Sequence, residues 1–126
     1  MTTWNKKLHS CLISLGVSLV LSGCSLVTID GKTTEEFAVY VEDVFKLQNN
    51  MTTRIMEITD SDNKPKNFDI ILQKEQIMQK QCESLNEYAT REMDGLDVDL
   101  ALQKRIADSA KSCEIAAKAV QQLLPK

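Results

Sequence analysis

Residues 82–113 read CESLNEYATREMDGLDVDLALQKRIADSAKSC. A cysteine stands at each end, and the middle, Asp94-Gly95-Leu96-Asp97-Val98-Asp99, holds residues that stop one helix and start another. Gly95 suits the left-handed conformation that closes a helix C-terminus. Asp97 or Asp99 can accept from the free N–H groups of a following first turn. On either side apolar residues recur every three or four positions: Cys82, Leu85, Ala89 and Met93 before the turn, Leu102, Ile106, Ala110 and Cys113 after it. That is the period of an amphipathic helix, so the stretch predicts a helical hairpin. Each cysteine is about 15 residues, some 23 Å, from the turn along its own helix, on stripes that face each other. The two should meet at one level, and Ala110, Ala116 and Ala117 permit the close approach a disulfide requires. The alternative is a pair of free buried thiols packing as small apolar groups. A redox-active pair lacks Cys-x-x-Cys spacing and a neighbouring histidine, although Lys80 and Lys111 are near.

The pattern extends outward. Upstream, Ile71 and Met78 carry the stripe back, giving a helix from Pro65 or Asn67 to Asp94, with Ile77 and Tyr88 flanking it. Downstream, Ala117, Val120 and Leu124 continue it to Pro125. Thr59 to Lys66 (TDSDNKPK) collects turn formers and reads as a loop. Before it, Thr33-Thr34-Glu35-Glu36 has the Thr-x-x-Glu spacing of a capping box. The helix that starts there buries Phe37, Val41, Val44, Met51, Ile55 and Ile58, with Gln48 interrupting the stripe and Tyr40 and Leu47 widening it. The expectation is an all-α antiparallel three-helix bundle over residues 34–126: a helical hairpin plus an N-terminal helix, with one inter-helix disulfide. Composition agrees: of 126 residues 43% are hydrophobic but only 5% aromatic, with four glycines and two prolines, which argues against a β-sandwich and against disorder. A domain of about a hundred residues has a modest core; homodimerisation is permitted by the sequence and not required by it.

The first 24 residues are organised differently. A polar start with Lys6 and Lys7 precedes an apolar run from Leu8 to Leu21, followed by Leu21-Ser22-Gly23-Cys24. The run has about 14 residues where a membrane-spanning helix needs about 20, so it reads as an export signal rather than an anchor. Here the sequence resembles bacterial lipoprotein precursors, whose lipobox is Leu, a small residue, Gly or Ala, then Cys. The resemblance covers the N-terminal fifth of the chain. It implies cleavage between Gly23 and Cys24, removal of residues 1–23 as a signal peptide, a diacylglyceryl thioether on the Cys24 sulfur and acylation of the new amino group. Cys24 in an ordinary signal or linker is the alternative. Ser25, where members retained in the inner membrane often carry Asp, implies an outer-membrane destination facing the periplasm of a Gram-negative cell. Residues 24–33 then form the lipidated cysteine and a tether, in which Asp30-Gly31 is a turn signal. At ~3.5 Å per residue the tether keeps the domain within roughly 30 Å of the bilayer.

Processing changes the chemistry available. Removing Lys6 and Lys7 leaves 13 basic against 18 acidic residues, a net charge of −5, with no basic cluster of the kind that holds phosphate backbones; nucleic-acid binding is not expected. His9 goes with the signal, so residues 24–126 contain no histidine. Ser-His and Cys-His catalysis and the usual zinc sites need one, and no catalytic residue, metal or cofactor is expected. Asp60, Asp62 and Asn63, and separately Asp94, Asp97 and Asp99, offer oxygens for Ca²⁺ but lack the spacing of a Ca²⁺ loop; caps and solvated turns account for them. Two features remain as partner-binding candidates. Gln73 and Gln76 belong to a polar arc on the second helix, which is either a wet face or a docking surface. Tyr40 and Phe45 extend the apolar arc of the first helix, either as a broad core face or as a groove for a partner's helix. The expected role is a non-enzymatic interaction or assembly module, held at the envelope by lipid and binding an envelope protein. Pilotins and exclusion lipoproteins share that outline at the level of architecture alone; a purely structural tether or a thiol-redox protein are the other readings.

Overall fold

The structure is a computed structural model that describes residues 28–29 and 31–126. The signal, the cleavage position at Gly23 and Cys24, and Cys24 as the lipid-bearing residue lie outside the described residues. Four helices make up the domain: α1 (Thr34–Asp60), α2 (Phe68–Gln81), α3 (Glu83–Met93) and α4 (Leu100–Leu123). Ahead of them β1 (Thr28–Ile29) pairs antiparallel with β2 (Lys32–Thr33). Gly31 in their turn has φ 74°, a left-handed value that a residue with a Cβ resists. Half of the segment expected as a tether is therefore folded against the start of the domain.

The helix boundaries follow local chemistry. The Thr33 hydroxyl accepts from the Glu36 N–H and the Glu36 carboxylate accepts from the Thr33 N–H at 2.9 Å, a complete capping box. At the other end of the hairpin turn, the Asp99 carboxylate accepts from the Leu102 N–H at 2.7 Å, so Asp99 and not Asp97 is the cap of α4. The turn opens with Gly95 at φ 65°. The Gly95 N–H donates to Glu92 and the Leu96 N–H to Arg91, the crossed pair that satisfies the last carbonyls of a helix.

One expectation is corrected. The helix expected from Pro65 or Asn67 to Asp94 is two helices, interrupted at Cys82, whose φ of −95° and ψ of 4° depart from the helical basin. The hydrogen-bond ladder bends there without breaking. The Cys82 N–H still donates to Met78 at 2.9 Å, while its carbonyl accepts from both Leu85 and Asn86 at 3.0 Å. The interruption falls at the bridged residue: Cys82 is joined to Cys113 with a Cα–Cα distance of 4.7 Å, the separation that facing residues have on helices whose axes pack about 8–10 Å apart.

Cross-links give the directions. Tyr40 bonds Glu114 and Arg54 bonds the Pro125 carbonyl, so α1 runs parallel to α4. Asn67 bonds the Leu123 carbonyl and Cys82 is bridged to Cys113, so α2 runs antiparallel to α4 and hence to α1, to which Gln79 ties it at Thr52. Cys82 to Cys113 and Glu87 to Arg105 set the α2–α3 arm antiparallel to α4. The core is one cluster from all four helices, including Val44, Met51 and Ile55 of α1, Ile71 and Met78 of α2, Leu85 of α3, and Leu102, Ala117 and Val120 of α4, with both half-cystines fully buried. Met93, expected on the buried stripe, is 80% exposed. It is the last residue of α3, at the turn into α4, where Leu96 and Leu100 are exposed as well.

Candidate functional site

The bridge is the feature on which the surrounding surfaces depend. Ala110, Ala116 and Ala117, all buried, stand three or four residues from Cys113 on the same face of α4, where small side chains let α4 approach the α2–α3 arm. A thiol-reactive role would need access and a pathway to solvent; both half-cystines have no exposed surface.

On one side of α4 lies a charge cluster. Glu114, whose side chain is 14% exposed, accepts from Lys118, from Lys111 at 3.0 Å and from the Tyr40 hydroxyl at 2.8 Å. Lys118 first, then Lys111 and Tyr40, pull its carboxyl down to a pKa of about 2. Such a group holds no proton to donate at neutral pH and is a weak base, so the cluster positions α1 against α4 rather than performing acid–base work. Tyr40, a candidate for partner binding, is thereby engaged within the domain: half-buried, stacked at a tilt on Phe37 with 6.2 Å between ring centroids, and approached by the Lys32 ammonium at 4.8 Å. Phe45 is also partly buried against the core. The structure does not bring these two aromatics onto one face with Gln73 and Gln76, which are exposed on α2.

The other flank of α4 carries an open groove along its seam with α2, lined by Lys74, Ile77, Gln81, Ser112, Ile115 and Ala119. Ile77 and Ile115 are 44% and 60% exposed. Gln73 stands one helical turn before Ile77, and neither Gln73 nor Gln76 lines the groove. The groove was not read from the sequence. Ile77 was visible beside the second stripe and Ile115 sits off the fourth-helix stripe, an apolar residue where a polar one would be expected, which is the signal that marks it.

A second apolar surface is the end of the α3–α4 hairpin, where Met93, Leu96 and Leu100 stand 80%, 57% and 80% exposed around Gly95. Among the described residues there is no cluster of three or more His, Cys, Asp or Glu side chains able to hold a metal ion, and no helix long and apolar enough to cross a membrane. No protein family, curated protein or solved structure matches this chain.

Proposed function

We propose that the chain is the precursor of a small outer-membrane lipoprotein, whose helical domain works as a non-enzymatic interaction module at the periplasmic face of the envelope. The observation that carries this reading is the run from Leu8 to Leu21 ending in Leu21-Ser22-Gly23-Cys24: an apolar stretch too short to span, closed by a thiol placed to take a lipid. The Cys82–Cys113 bridge supports it, because disulfides persist in oxidising compartments such as the periplasm. Two or three acyl chains on Cys24 would anchor the domain firmly, since one chain alone binds reversibly. In this reading α2 and α3 act as one bent arm, so the domain packs as an up-down-up bundle of three members around α4. The exported part would present the α2–α4 groove, with Ile77 and Ile115 at its centre, to an envelope protein. Replacing Cys24 with Ser tests the anchor: radiolabelled palmitate should disappear from the protein and unprocessed precursor should accumulate. Normal processing of Cys24→Ser would contradict the reading.

A further inference from the structure

We propose that the α3–α4 hairpin end, Met93, Leu96 and Leu100, is a second membrane contact that rests on a zwitterionic phospholipid surface beside the lipid anchor; this rests on the lipoprotein reading above. Three observations place it. First, these are three of the most exposed large apolar side chains among the described residues, at 80%, 57% and 80% exposure, and they share one turn. Single exposed apolar residues are ordinary; three around one turn are a surface. Second, the end lies where α1 begins. With Tyr40 bonded to Glu114 and Arg54 to the Pro125 carbonyl, α1 runs parallel to α4, so the turn that leads into α4 is at the same end of the domain as Thr34. Third, the anchor enters at that same end. Thr28 pairs with Thr33, immediately before α1, so β1 sits beside the helix start, and the four residues from Cys24 to Thr28 reach at most ~14 Å. The apolar turn and the point of attachment therefore share one end of the domain, and the short reach of the anchor holds that end at the bilayer that carries the acyl chains.

Charge selects the lipid. Arg91 is bound to Glu87 and the Asp97 carbonyl, Arg105 to Glu87, and Lys104 to Asp108. That leaves exposed Glu92, Asp94 and Asp97 flanking the apolar residues, so an anionic surface repels this end and a zwitterionic one does not.

The test uses the processed, lipid-carrying protein in phosphatidylcholine vesicles containing phosphatidylcholine brominated on its acyl chains. Residues 24–126 contain no tryptophan, so Leu96→Trp introduces a single reporter, and Met56→Trp, 60% exposed near the other end of α1, is the control. Leu96→Trp emission should fall about two-fold or more with brominated lipid, Met56→Trp emission should not change, and adding phosphatidylglycerol should reduce the quenching. Flotation of the same sample reports the anchor separately. A protein that floats with its Leu96→Trp emission unquenched overturns the contact and leaves the anchor standing. Emission that is blue-shifted yet unquenched means that protein, such as a second copy, covers the end, and also overturns it. A protein that neither floats nor is quenched removes the anchor and the contact together.

Discussion

A buried side-chain carbonyl with no partner is a local cost in an otherwise apolar seam. Gln48 is 3% exposed between Val44 and Met51 on the inward stripe of α1, and its side-chain carbonyl accepts no hydrogen bond. An unmet buried acceptor costs about 1–3 kcal/mol, so Gln48→Leu should raise the unfolding free energy by about 1 kcal/mol in thermal or urea melts; a loss instead would show that the amide is satisfied. Glu114 is the opposite case. Its folded pKa of about 2 lies below its ordinary 4.5, so its contribution is present above pH 4.5 and is lost as pH falls from 4.5 towards 2. Because Lys111 and Lys118 are 65% and 56% exposed, solvent screens the pairs, and Glu114→Gln should cost about 1 kcal/mol at pH 7 and almost nothing at pH 2. Urea melts at the two pH values check this; an equal loss at both would point to packing rather than charge. The lysines at three and four residues from Glu114 are plain in the sequence, as is Gln48 in its stripe. The Tyr40 contact is not, because it joins residues that only folding brings together.

At the scale of elements, hairpin closure was legible and the helix interruption beside it was not. The two stripes, the glycine and the equal distances of Cys82 and Cys113 from the turn specify which residues meet. Nothing in a helical period says that the second helix is interrupted at Cys82, or that Met93, on the same stripe as Leu85, is left exposed. Both depend on how the helices pack in space. Cys82→Ala and Cys113→Ala should each lower stability by about 3–4 kcal/mol by freeing a loop of some thirty residues in the unfolded chain, and the double variant should lose no more than either single one, since one bond is removed in every case. Strictly additive losses in denaturant melts would count against this account. Gly95 faces open space but holds φ 65°; Gly95→Ala should therefore cost about 1 kcal/mol through backbone strain alone, with helix content by circular dichroism unchanged.

For the molecule as a whole, a modest core is closed covalently, and two apolar surfaces among the described residues stand uncovered, the α2–α4 groove along the side and the α3–α4 hairpin end; on the reading proposed here the first meets a partner and the second the bilayer. On the proposed processing the exported chain carries no histidine and a net charge of −5, and the role proposed for it is one of position and contact. That reading depends on the state of one sulfur at residue 24. Intact-mass spectrometry of the protein extracted from membranes without reductant measures it most directly. The account predicts a chain beginning at Cys24, heavier than residues 24–126 by a diacylglyceryl group and an N-linked acyl chain and lighter by the two hydrogens of the Cys82–Cys113 bridge. A bare Cys24, or residues 1–23 still attached in the exported protein, would contradict it.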